Sequence, residues 1–262
     1  MRRYLRLLGV QLRMSVASAM AYRADFLVEG AMSAAWMAVA LLPLFVLYGE
    51  RDTVAGWDAP SALVVLAYFM GVRAVVEGVV NPSLVELVDR IRTGAFDYVL
   101  LKPVDAQLLV SGSRYEPWKV LDLLGAAGVA VYAFVLRGHG PEPGHLLVGL
   151  ALFATGVLAM YALWILCAAA SFWVVRLDNL TYLLSAIFDT ARWPVQVFRG
   201  AWRIVFTFVI PVAVMTTYPA MALLGALDAG TALASAGGAL ALLGLSRLVW
   251  RAAIRSYTSA SS

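Results

Sequence analysis

The chain has 262 residues, 62% of them hydrophobic and 14% charged, with a formal net charge of +4. So little charge cannot keep so much apolar side chain in water, which excludes an ordinary soluble domain and makes the bilayer the solvent. The positive balance does not point to nucleic acid, because membrane topology accounts for where the basic residues stand.

Residues 1–25 read as an amphipathic helix lying in the membrane interface. Arg2, Arg6 and Arg13 share one side of a helical wheel, and Leu5, Leu8, Leu12 and Val16 share the other. Six apolar runs follow, at about 26–48, 61–80, 117–136, 146–175, 202–217 and 232–250. A helix needs about 20 apolar residues to cross ~30 Å of hydrocarbon. Alanine and leucine dominate and no run alternates with period two, so the spans are expected to be helices and not barrel strands. The expected fold is therefore an all-α integral membrane protein, a single transmembrane domain over 1–262 with six spans.

Between the second and third spans, residues 81–116 form a long loop with a helix of its own. Pro82 suits a first turn. Leu84, Leu87, Val88 and Ile91 share one face, Glu86, Asp89 and Arg90 the opposite one, and Gly94 ends the helix. Residues 187–203 read as a cytoplasmic interfacial helix with Asp189, Arg192, Gln196, Arg199 and Arg203 on one side and Trp193 and Trp202 at headgroup level. Residues 211–225 carry Pro211 and Pro219 on either side of Tyr218, and are expected to be an outer broken or re-entrant segment.

The basic residues set the orientation. Of the 20 Lys and Arg, only Arg51 and Arg137 fall on one side of the six spans and Arg73 inside a span. All the others cluster on the opposite side, which the positive-inside rule makes cytoplasmic, together with both termini. The outer loops are short.

Catalytic signatures are missing. The lysines, Lys102 and Lys119, lack the glycines of a phosphate-binding loop, and there is no HExxH, CxxC or GxSxG. His139 and His145 make a poor metal site, so no metal is expected. Cys167 has no partner for an intrachain disulfide. Arg73 and Glu77 can pair across one helical turn within the second span. Asp25, Glu29 and Asp122 read as interface residues. Two other classes of function stay open, an integral-membrane lipid-processing enzyme and an ion-coupled carrier. The first would need convergent His, Asp or Ser groups near one interface. The second would need acids near the midplane.

The stretch IRTGAFDYVLLKPVDAQ, residues 91–107, resembles the cytoplasmic loop of ATP-binding-cassette exporter permeases of the type-2 class, in a bacterial subgroup with an Arg-x-Gly-x-x-Asp-x-x-Leu-x-Lys-Pro signature. Here these are Arg92, Gly94, Asp97, Leu100, Lys102 and Pro103. Residues 193–220 are similar to the second signature of that subgroup through Pro194, Phe198, Arg203, Phe208, Pro211, Val212, Tyr218 and Pro219. Trp193 departs from it, standing where a smaller or tyrosyl residue is expected. The resemblance implies that residues 81–116 hold a coupling helix, that re-entrant helices precede the sixth span, and that the chain sits in a bacterial cytoplasmic (inner) membrane. It further implies a pair of permeases, alike or related, served by two separate ATPase subunits that carry ATP and magnesium, this chain binding no cofactor itself. The substrate class would be a lipid, drug, peptide or glycan moved outward. ATPase coupling is expected of Leu84, Leu87, Val88, Arg90, Ile91, Arg92, Gly94, Asp97, Lys102 and Pro103, with the apolar ridge seated in a groove of the ATPase.

Overall fold

Two aspartates start two of the long helices. The carboxylate of Asp58 accepts the Ser61 N–H at 3.1 Å, and that of Asp228 accepts the Thr231 N–H at 2.8 Å. Each satisfies a donor that the first helical turn leaves free. The computed structural model describes residues 2–21, 23–173 and 185–257. Helices α1 (Arg2–Ala21) and α2 (Arg23–Glu50) lead into a two-residue hairpin, β1 (Thr53–Val54) and β2 (Trp57–Asp58). Then come α3 (Ala59–Val75), α4 (Asn81–Arg92), α5 (Asp97–Leu100), α6 (Ala106–Ser111), α7 (Lys119–Arg137) and α8 (Pro143–Ala170). After short 3₁₀ turns at Asp189–Arg192 and Val195–Val197, the chain forms α9 (Ala201–Ile204), α10 (Tyr218–Leu223) and α11 (Ala229–Ser256).

Among the described residues, five helices are long and apolar enough to cross a membrane: Leu27–Glu50, Ala59–Arg92, Lys119–Arg137, Pro143–Ala170 and Ala229–Ser256. The protein is an all-α, multi-pass membrane protein. The second of these helices is the hub, with 78% of its apolar window buried by the rest of the chain, against 6% for α2. Helix α2 therefore presents most of its apolar side chains outward, to lipid or to another protein.

At one end of the bundle, α4 carries Arg90 and Arg92 and the end of α11 carries Arg251 and Arg255; we call this the basic end. Helix α1 joins it, since Ser15 Oγ accepts the Tyr115 N–H at 3.2 Å. At the far end, Arg137 donates to Ser61 Oγ at 2.8 Å, closing α7 onto α3.

The sequence suggests a separate helix starting at Pro82. Instead α3 runs on into α4 through one π-helical turn, Val76–Val80. Proline at 82 has no N–H to give the carbonyl four residues back, that of Gly78. The wider turn absorbs the mismatch, and the freed Gly78 carbonyl accepts the Glu116 N–H at 2.8 Å. Next to it Ser83, fully buried, donates to the Arg114 carbonyl at 2.8 Å and accepts the Arg114 N–H at 3.1 Å. The connection 93–118 thus returns to the helix it left and is latched there.

The expectation for residues 187–203 is corrected by burial. No amphipathic helix lies on the surface there: Ala191 is 0% and Val195 2% exposed. The Ala191 carbonyl accepts from Thr216 Oγ1 at 2.9 Å, and the Val195 N–H donates to Thr217 Oγ1 at 3.1 Å. Pro194 breaks the periodicity that a wheel assumes, and the segment folds into the bundle against α3. The apolar run at 202–217 is likewise not one continuous helix. It bends at Ile210 and Pro211, between π-helical turns at Val205–Val209 and Ala213–Thr217. Arg203 and Thr207 before the bend share a cavity wall with Tyr218, Asp228 and Thr231 after it, at the far end, which corrects the expectation that Arg203 stands with the cytoplasmic basic residues.

Candidate functional site

Two clusters of polar side chains stand out from the apolar bundle. The first is at the basic end, in the connection that follows α4. Leu84 and Leu87 turn inward and are 4% and 1% exposed; Val88 and Ile91 are half-buried. On the other side Arg90 pairs with Glu86 at 2.6 Å, and Ser113 donates to the same carboxylate at 2.8 Å. Arg92 pairs with Asp89 at 3.0 Å on the exposed surface. Gly94, at φ 76°, supplies the left-handed turn that stops α4. Asp97 opens α5, and Lys102 and Pro103 stand exposed in the turn after it.

The inside of this connection is tied to the ends of α8 and α11. Phe96 is fully buried and meets Phe172, Trp250 and Tyr257 edge-on, with ring centroids 5.3, 6.2 and 5.4 Å away. Asp105 caps α6 by accepting the Leu108 N–H at 3.1 Å and forms an ion pair with Arg247 of α11. The Arg247 guanidinium holds the Asp105 carboxyl below the usual carboxylate range, helped by the backbone amides of α6. Arg247 also donates to Gln107 Oε1 at 2.7 Å. Gln107 in turn donates to the Tyr161 hydroxyl at 3.1 Å, and Ser111 bonds the same hydroxyl at 2.7 Å. None of Phe96, Asp105, Gln107, Tyr161 or Arg247 is singled out by periodicity. Only the Asp three residues before the short apolar run at 108–110, a capping signal, could have drawn attention to one of them.

The second cluster lies within the bundle. Arg73 pairs with Glu77 at 2.6 Å, as their spacing suggests, and also with Asp189 at 3.1 Å. Lys119 reaches Glu77 at 2.7 Å and Asp122 at 3.1 Å. Arg192 donates to the Asp189 carbonyl at 2.9 Å and lies over the Phe69 ring at 5.6 Å. Asp122, Asp189 and Arg192 read in sequence as interface groups; the fold brings them to Arg73. The Lys119/Asp122 and Asp189/Arg192 pairs, each three residues apart, are the local signal that these groups neutralise one another. Together they line a cavity of about 400 Å³ whose other wall is α2, through Trp36, Met37 and Val39.

At the far end, Pro211 sits at the bend, while Tyr218 and Pro219 begin α10. Thr216 and Thr217, just before them, are fully buried and hold the bent segment to residues 191–195 through the two hydrogen bonds given above.

A family model described as ABC-2 family transporter protein matches residues 34–261, nearly the whole chain and both clusters. No curated protein and no solved structure matches significantly.

Proposed function

The chain belongs to the ABC-2 transporter family, which makes it a membrane permease component of an ABC transporter associated with an ABC ATPase, and on that premise we propose that it works as an outward-moving exporter permease. It spans the membrane six times, through the five long helices and one further crossing before α11. Both termini and the connection 81–116 face the cytoplasm, and the membrane is a bacterial inner one. Two permeases, identical or related, pair around a path for a lipid, drug, peptide or glycan. Two ATPase subunits hold the nucleotide and magnesium, and this chain lends them no catalytic residue.

The carrying observation is the two-sidedness of the connection. Val99 is 2% exposed, while its neighbours Tyr98 and Leu101 are 73% and 79% exposed at the basic end. Large apolar groups held outward on a rigid base are how a partner is engaged. With Leu84 and Leu87 occupied inside the chain, docking falls to Tyr98, Leu101, Lys102 and Pro103, together with Arg92 and Asp89. Closure of the ATPases on ATP would push on this tip. Three routes carry the push inward: the continuous helix Ala59–Arg92, the Asp105–Arg247 pair to α11, and the Gln107–Tyr161 bond to α8.

The test is the double substitution Tyr98→Asp with Leu101→Asp. The permease is expected to keep its chromatographic profile and lose its co-purifying ATPase. Leu87→Asp is expected to unfold the chain instead. Retention of the ATPase with normal ATP-driven transport by the double variant, or ATP hydrolysis by this chain alone, would overturn the reading.

A further inference from the structure

We propose that the charged cavity between α2, α3 and α7 is a binding site for the headgroup of a zwitterionic phospholipid, entered sideways from the bilayer.

Depth is the first support. Arg73 lies 14 residues and Glu77 18 residues after Ala59 in one continuous helix, about 21 and 27 Å along its axis. Against ~30 Å of hydrocarbon, the cluster sits just beneath the headgroups of the basic-end leaflet. A lipid reaches it with a small inward displacement, and its chains stay in the hydrocarbon.

Access is the second. The α2 wall contributes Trp36, 67% exposed, and Val39, 49% exposed, both on the apolar surface that α2 turns outward. The cavity is therefore continuous with the lipid-facing side of the molecule.

The polar inventory is the third. A guanidinium has five N–H donors and an ammonium three. The hydrogen bonds of Arg73 engage Nε with Glu77 and Nη1 with Asp189; those of Lys119 go to Glu77 and Asp122. Arg73 and Asp189 remain 45% and 42% exposed toward the opening. Charged groups with spare bonding capacity at this depth are costly unless something polar fills the space. The set is balanced, with Arg73, Lys119 and Arg192 against Glu77, Asp122 and Asp189, so an anion alone or a cation alone would leave one sign in excess. A phosphate beside an ammonium matches both: the phosphate takes the free Arg73 and Lys119 donors, and the ammonium takes Asp189 and Glu77. The cavity, about 400 Å³, admits such a headgroup. The inference needs only the bilayer and the cavity, and stands whether or not the lipid is cargo.

The experiment places the full-length permease with its ATPase in vesicles of phosphatidylethanolamine and phosphatidylglycerol containing a photo-crosslinking phosphatidylethanolamine, and maps adducts by peptide mass spectrometry. Adducts are expected to concentrate on peptides spanning 33–40 and 69–77 over the lipid-facing peptides of α7 and α11. Arg73→Gln removes a charged hydrogen bond to phosphate and is expected to cut them about tenfold. Because Arg73 also holds the network together, Trp36→Ala serves as the second variant: it trims an exposed wall and is expected to lower labelling severalfold with folding intact. Uniform labelling of all lipid-facing helices overturns the proposal. So does labelling insensitive to Trp36→Ala, protection by millimolar inorganic phosphate, or equal capture of a phosphatidylglycerol probe.

Discussion

Substituting Gly78 by alanine tests the latch at its tightest point. A Cβ at this position would lie 2.9 Å from Lys119 Cβ and 3.6 Å from the Glu116 carbonyl oxygen. The first is far inside normal carbon–carbon contact. Its partner is the root of a side chain, not a mobile end, so the N-terminus of α7 must move. That movement pulls on the Glu116 N–H bond to the Gly78 carbonyl and on the Lys119–Glu77 pair. Overpacking of this kind costs about 1–3 kcal/mol. For a chain of this size each 1 kcal/mol shifts the midpoint by roughly 2–4 °C. Gly128→Ala in α7 is the internal control. It meets nothing within 4 Å, and alanine gains up to about 1 kcal/mol of helix propensity over glycine. Thermal unfolding followed by fluorescence-detected chromatography should place Gly78→Ala below the natural protein and Gly128→Ala at or above it. A Gly78→Ala protein as stable as the control would refute the close approach, and with it the account of Pro82, the π-helical turn and the returning loop.

Phe96→Ala removes the buried centre of four aromatic rings and should cost about 3–5 kcal/mol, read as a lower midpoint and loss of the ATPase on co-purification. Arg247→Met should lower stability in a pH-dependent way. Arg247 depresses the Asp105 carboxyl, so the pair stabilises above the ordinary carboxylate range and fades as pH falls through the lowered value. The gap between Arg247→Met and the natural protein should accordingly narrow on acidification in a pH-stepped unfolding series. Thr217→Val keeps the shape but leaves the buried Val195 N–H without an acceptor. A loss of about 1–3 kcal/mol is expected, seen as faster proteolysis around residues 195–205.

Much of the architecture can be read from local pattern because lipid allows few solutions. A run of apolar residues long enough to cross must be helical, and so Leu27–Glu50, Lys119–Arg137, Pro143–Ala170 and Ala229–Ser256 follow closely from hydropathy alone. The pairing of Arg73 with Glu77 also follows from spacing, since it is settled within one turn of helix. Residues 187–203 mislead because a helical wheel presumes a helix. Pro194 and the hydrogen bonds from Thr216 and Thr217 favour a buried, broken path instead. The amphipathic face of 82–93 is real, but periodicity cannot say whether its apolar side meets another protein or the chain's own core.

From residues alone, then, come the solvent, the element type and the positions of most long helices, since these depend on transfer from water and on bonds between near neighbours. Tertiary structure decided that α3 and α4 are one continuous rod and that Leu84 and Leu87 are spent inside. It also brought six charges from three separate stretches around one cavity. The reason is separation along the chain: Arg73 meets Asp189 and Asp105 meets Arg247 only because helices distant in sequence pack side by side, and no short-range pattern records which helix becomes whose neighbour.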